Sequence, residues 1–291
     1  MSDRDSPVGP AAGPAASAPR SYLFVPGNRP DRFAKACATA ADAVIVDLED
    51  AVPPDDKASA RVSIVQWVSA EHPVLVRING AETPWFREDL ELAALPGVVG
   101  IVIPKAEQVD DIIAVARHAT PTSAIVPLIE SARGFANALA IAQVPGVQRL
   151  AFGSIDFEFD LGIRGDGEEL LHFRSQLVLV SRLAGVRAPV DGVTTDLRDG
   201  ERIAVDTLRA RRLGFGGKLC IHPNQVAAVN DGFSPDEGEV AWARRVLEAA
   251  AVAKGAAVAV DGKMVDAPVI AKAGAIVREA ERGIRRTIRP G

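Results

Sequence analysis

Cysteine, histidine and excess positive charge are all scarce in this 291-residue chain, and each scarcity removes a class of function. The two cysteines, Cys37 and Cys220, stand far apart and match no metal or redox spacing, so they read as reduced thiols in the core. A formal net charge of -5 argues against a nucleic-acid partner or an anionic membrane, because either needs a basic face. No run approaches the roughly 18 apolar residues needed to span a bilayer. The Ala/Val-rich stretch near the C-terminus is interrupted by Lys254 and Asp261. The opening "MSDRDSPVGPAAGPAASAP" lacks a continuous apolar segment and carries Asp3 and Asp5, unlike a secretory signal. Its Pro, Ala and Gly content predicts a disordered leader over 1–19, and the protein is expected in the cytoplasm.

From Arg20 onward, short β-branched runs alternate with longer amphipathic stretches. The strand-like runs are "SYLFVPG", "AVIVDLEDAV", "PVLVRING", "GVVGIVIPK", "AIVPLIES", "VQRLAFGSID", "APVDGVTT" and "GKLCIHP". Helix-like segments such as "PDRFAKACATA" and "ELLHFRSQLVLVSRLAG" lie between most of them. Eight strand–helix units over 20–235 predict an α/β fold, a TIM (β/α)8 barrel, followed by a C-terminal helical extension over 236–291. The near-continuous apolar runs suit parallel strands buried on both faces; an open doubly wound sheet is the alternative.

The polar residues gather at the ends of these runs. Asp47, Glu49 and Asp50 close the second, Arg77 the third, Lys105 the fourth, Glu130 the fifth, Asp156 the sixth and His222 the eighth, with Asp191 inside the seventh. In a barrel those ends converge on one face, where catalytic groups collect. Glu130 and Asp156, on neighbouring strand ends, would repel one another unless a proton or cation intervened. Two hard oxygen ligands with no local His or Cys suggest Mg²⁺. The alternative is that Glu130 pairs with Arg133 or Arg77 as rim structure, and residue type alone does not choose. Arg77 likewise either faces a developing anion or forms a salt bridge with Asp47 or Glu49. Lys105 raises a third possibility, a Schiff-base lysine, which would not need the carboxylate pair. His72, His118 and His172 are expected on surface helices or loops.

Taken together, "RSYLFVPGNRPDRFAKA", "DAVIVDLEDAV", "VRING", "LIESARG", "FGSIDFEFDLG" and "GKLCIHPNQV" resemble the citrate lyase β-subunit-like family of the HpcH/HpaI aldolase superfamily. That family includes the malyl-CoA and citramalyl-CoA lyases. The resemblance implies a barrel, usually oligomeric (a homotrimer or homohexamer), with Mg²⁺ held by Glu130 and Asp156. It implies cleavage or formation of a β-hydroxyacyl-CoA, so that an acyl-CoA thioester and a 2-oxoacid are the expected partners. Arg77 would then face the thioester enolate and a substrate carboxylate. "GKMVDAP" resembles a family segment whose aspartate enters a neighbouring subunit's site, which makes Asp266 the proton-transfer candidate; on composition alone it is a helix cap. Related pyruvate aldolases resemble "EHAP" where this chain reads "EDAV". Asp50 thus replaces a histidine, favouring the CoA-thioester branch.

CoA phosphates need cations. Arg29 and Arg32 in "PGNRPDR" are the first candidates, with Lys35 a turn on, Arg20 before the first strand, and Lys57 weaker. His222 is read as a rim residue. "FEFDLG" departs from the family's usual pattern, and Phe157 and Phe159 are expected to narrow the acyl pocket. That departure leaves room for altered acyl specificity. Two alternatives stay in view: a thioesterase, in which a Mg²⁺-bound water attacks the thioester, and a non-catalytic CoA-binding protein.

Overall fold

The computed structural model describes residues 18–253 and 258–287, so the leader expected over 1–19 falls almost wholly outside it. Eight parallel strands close into a barrel in sequence order: β1 (Ser21–Pro26), β2 (Ala43–Asp47), β3 (Val74–Arg77), β4 (Val98–Ile103), β5 (Ala124–Ile129), β6 (Ala151–Phe152), β7 (Val190–Asp191) and β8 (Gly217–Cys220). β8 returns to β1 with Tyr22 beside Leu219, which excludes the open sheet. Alternate residues explain the unbroken apolar runs. Tyr22, Ile45, Leu75, Val126 and Leu219 fill the interior, whereas Leu23, Val46, Val76, Ile101 and Ile129 pack outward on the helical shell.

The shell comprises α1 (Phe33–Cys37), α2 (Lys57–Trp67), α3 (Phe86–Asp89), α4 (Val109–His118), α5 (Ala132–Ala142), α6 (Ser154–Leu161), α7 (Leu171–Leu183), α8 (Gly200–Leu213) and α9 (Val226–Gly232). Two elements are shorter than the sequence pattern suggests. Helix α1 stops early because the Thr39 hydroxyl donates to the Ala36 carbonyl and accepts from the Ala41 N–H, bending the chain away. Strand β6 has only two residues, and α6 starts directly after Gly153, so Asp156 lies in the first turn of a helix and not at a strand end.

Beyond the barrel, α10 (Glu237–Val252) opens with a reciprocal capping box between Asp236 and Glu239. A hairpin of β9 (Val258–Val260) and β10 (Lys263–Val265) turns at Asp261 and Gly262, both at positive φ, and leads into α11 (Ala267–Thr287). This region has its own small core, built on Ala243, Val246, Val265, Ala273 and Ile276.

Candidate active site

Strand register brings the first charged groups together. Asp47 at the end of β2 is level with Arg77 at the end of β3. They line a cavity of about 400 Å³ at the strand C-terminal ends, with Glu130, Asp156 and Asp50. Phe24, Phe152, Val193, Leu219 and Ile221 supply its apolar walls.

Glu130 follows β5 directly and is only 4% exposed. It fits there because residue 153 is glycine: a Cβ at that position would collide with the Glu130 side chain. Its Oε1 accepts the Lys105 N–H at 2.6 Å. Arg133 instead lies 3.7 Å from Glu107, and Arg77 is committed elsewhere, so neither arginine forms an ion pair with Glu130. Burial, reinforced by the charge of Glu49 and partly offset by the Lys105 N–H, pushes the Glu130 pKa up to about 8; Asp156 adds a smaller push in the same direction. A buried acid facing further acids suits a hard divalent cation, the donor chemistry of Mg²⁺. Among the described residues no cluster of three or more His, Cys, Asp or Glu is gathered to hold a metal. Two protein carboxylates would leave much of an octahedral shell for water and substrate oxygens, as Mg²⁺ prefers.

Arg77 forms the salt bridge anticipated as its alternative role. Its Nε and Nη2 donate to the two oxygens of Asp47 at 2.6 and 2.7 Å, while Nη1 lies 2.9 Å from Glu49 Oε2. Burial opposes its charge, yet Asp47 and Glu49 hold its pKa above the ordinary arginine value. A guanidinium has five N–H donors, so at least two remain for a ligand in the cavity that Arg77 lines. Its Cζ also lies over the Phe24 ring, 4.8 Å from the ring centre.

Two lysines hold Glu49 in place. Lys105 Nζ donates to Glu49 Oε1 at 2.7 Å. Burial lowers the Lys105 pKa, but the hydrogen bond to Glu49 and the charges of Glu49, Asp50 and Glu130 together outweigh it and raise the pKa above the ordinary lysine value. Its amine is engaged by Glu49 and Lys105 does not line the cavity, so nothing sets it against a ketone there as a Schiff base requires. Lys57 is buried, and its Nζ donates to the Leu48 and Glu49 carbonyls at 2.6 and 2.8 Å. Its suggested CoA role is corrected: the ammonium is consumed in bracing the turn after β2.

Other expected site residues lie apart from the cavity. Arg20 precedes β1, at the opposite end of the barrel, and its side chain is tied to Asp42 and Ser234. It cannot serve a ligand at the strand C-terminal ends. Arg29, Arg32 and Lys35 are exposed after β1, at the correct end but outside the cavity lining; Arg29 pairs with Asp31. Asp266 is exposed, caps α11 through the Val269 N–H and does not line its own barrel's cavity. Phe157 is buried among Phe135, Phe152 and Phe173, and Phe159 is 89% exposed; neither narrows the pocket. His222 caps the turn before α9, accepting the Asn224 N–H. Asp191, with Arg174 at 2.9 Å and Lys218 at 3.5 Å, forms a buried ion group that the sequence did not disclose. Gly153 was equally silent; its signal was a glycine separating strand six from an aspartate-bearing helix.

The family profile described as HpcH/HpaI aldolase/citrate lyase matches residues 20–223. A citrate lyase subunit beta-like protein of Deinococcus radiodurans is 42% identical, over 87% of this chain and 94% of its own length. The L-malyl-CoA/beta-methylmalyl-CoA lyase of Cereibacter sphaeroides is 36% identical, over 92% of this chain and 96% of its own. The crystal structure of CitE from Mycobacterium tuberculosis, in complex with magnesium, acetoacetate and coenzyme A, superposes with a TM-score of 0.81 at 34% identity, covering 92% of this chain and 99% of that one. The closed barrel, its charged strand ends and this likeness over nearly the whole length place the chain in the HpcH/HpaI aldolase/citrate lyase family.

Proposed function

We propose that the protein is a Mg²⁺-dependent carbon–carbon lyase that cleaves, or forms, a β-hydroxyacyl-CoA such as malyl-CoA or citramalyl-CoA. The products of cleavage are acetyl-CoA or propionyl-CoA and a 2-oxoacid. The observation that carries the reading is one cavity holding the Glu130 and Asp156 carboxylates beside a fixed guanidinium, Arg77. The activity named for the Cereibacter sphaeroides relative and the ligands of the Mycobacterium tuberculosis structure support it.

Glu130 and Asp156 would hold the ion, which when bound polarises the substrate's hydroxyl and carboxylate oxygens. On cleavage, the hydroxyl proton passes to solvent water, its oxygen becomes the 2-oxoacid carbonyl, and the bond between the thioester α-carbon and the hydroxyl-bearing carbon breaks with its electron pair passing into the thioester enolate. Arg77 offers its uncommitted N–H groups to that developing charge, with Asp47 and Glu49 fixing the guanidinium beforehand. Asp266, supplied by a neighbouring subunit of a homotrimer or homohexamer, returns a proton to the enolate carbon. Arg29 and Arg32 are assigned to the CoA phosphates; Arg20 is not. Phe157 and Phe159 lie away from the cavity, so the acyl pocket is shaped by other residues.

A screen of malyl-CoA, methylmalyl-CoA and citramalyl-CoA with Mg²⁺ tests the proposal. A 2-oxoacid with an acyl-CoA is the expected product pair. A hydroxyacid with free CoA would mark a hydrolase, and no turnover would mark a binding protein.

A further inference from the structure

Lys105 touches two parts of the charged site through two different groups. Its backbone N–H donates to Glu130 Oε1 at 2.6 Å, and its Nζ donates to Glu49 Oε1 at 2.7 Å. It does so at φ 45°, in the left-handed region; among the described non-glycine residues only Asp261, in the hairpin turn, shares a positive φ. A side chain in that region is disfavoured, because its Cβ crowds the following carbonyl oxygen. The cost has a local counterpart: the turn aims the N–H at Glu130 and leaves the side chain over Glu49, and the next N–H, Ala106, rejoins β5 through the Leu128 carbonyl at 3.2 Å.

We propose that Lys105 is a positioning residue with two separable duties: its ammonium sets Arg77 through Glu49, and its backbone N–H sets Glu130. The charges alternate along a ladder, Asp47–Arg77–Glu49–Lys105. Each Glu49 oxygen faces its own cation, Oε1 the lysine and Oε2 the arginine. Glu49 is buried, so without the ammonium its carboxylate turns both oxygens to the remaining cation and draws Arg77 away from Asp47. The main chain of Glu49 does not follow, because Lys57 grips its carbonyl at 2.8 Å. The Lys105 side chain is 42% exposed and does not line the cavity, so it acts on a ligand only through its neighbours.

The kinetic consequence rests on the lyase reading, but the structural one does not. Three variants separate the duties. Lys105→Met removes the ammonium and keeps the stem; Lys105→Gly removes the ammonium and relieves the left-handed conformation; Lys105→Arg keeps the charge. All three retain the N–H. On protein without substrate, phenylglyoxal labelling mapped by mass spectrometry to Arg77 should quicken about fivefold or more in the Met and Gly variants and return toward wild type in the Arg variant. Mg²⁺ affinity by calorimetry should stay within about threefold throughout, since Glu130 keeps its donor. If the lyase reading holds, kcat in the Met and Gly variants should fall about tenfold or more with KM nearly unchanged, and Lys105→Arg should recover most of it. Unchanged Arg77 labelling in Lys105→Met overturns the proposal. Loss of Mg²⁺ binding in that variant overturns the division of duties. Absence of turnover in the wild type would count against the lyase reading alone, leaving the labelling result to decide this one.

Discussion

The barrel and the C-terminal region treat their acidic residues in opposite ways. In the barrel, Asp47, Glu49, Glu130 and Asp191 are buried, and all but Glu130 face arginines or lysines supplied by other elements. In the C-terminal region, Asp261 and Asp266 are exposed, the first paired with the equally exposed Arg245 of α10 and the second capping its own helix. A buried carboxylate must be matched by the fold itself, because desolvation makes an unmatched one expensive. An exposed one leaves its function to whatever it meets. The difference teaches that one chain completes the charged cavity, whereas the proposed role of Asp266 requires a second.

The largest expected effect breaks the barrel side of this comparison. Glu130→Gln and Asp156→Asn should each lower turnover by about 10³-fold or more and abolish calorimetric Mg²⁺ binding while leaving the circular dichroism spectrum intact. Full activity of both variants in chelator would remove the metal role from this pair.

Asp266→Asn tests the other side. It should bind substrate and Mg²⁺ but lose about 10²- to 10⁴-fold in turnover, with no exchange of acetyl-CoA methyl protons into solvent. Co-assembled with Glu130→Gln subunits, it should regain part of the activity, because some sites then combine an intact Glu130 from one chain with an intact Asp266 from another. Confirmed mixed oligomers without recovery would mean that the tail serves its own barrel.

Arg77→Lys should cost about 10²-fold in kcat, the scale of losing one transition-state donor, since a lysine cannot span Asp47 and Glu49 as the planar fork does. Unchanged kcat would return Arg77 to a purely structural role.

A smaller effect is set by pH. In metal-free protein Glu130 holds its proton up to about pH 8, whereas an unfolded glutamate releases it near about 4.3. The folded state then binds more protons, so this group's contribution to stability is fully present below about pH 4.3 and is lost as the pH rises through about 8. Urea midpoints from pH 4.5 to 8.5 should fall less in Glu130→Gln than in wild type.

The mildest test uses the thiols. Burial pushes the Cys220 pKa up to about 12, so iodoacetamide at pH 8 should label half-buried Cys37 first. Cys220 belongs to β8, and its labelling reports opening of the barrel. A condition that frees the C-terminal region alone should leave it unmodified.

The barrel was legible because a parallel strand buried on both faces leaves an unbroken apolar run, and eight such runs alternating with helical stretches leave few other solutions. The strand-end positions of Arg77 and Glu130 followed from the same pattern. By itself, then, the sequence determined the architecture, the face on which the polar groups collect and the proximity of Glu130 to Asp156. Tertiary structure alone decided their pairing. Asp47 claims Arg77 because β2 and β3 are in register; Lys57 turns inward to two carbonyls; Arg20 lies at the wrong end of the barrel; and Phe157 packs against aromatic rings behind the cavity. Residue type and spacing give a group's charge and its position along the chain. Which partner it meets, and whether its charge is spent on structure or left for a ligand, depends on contacts between segments distant in sequence.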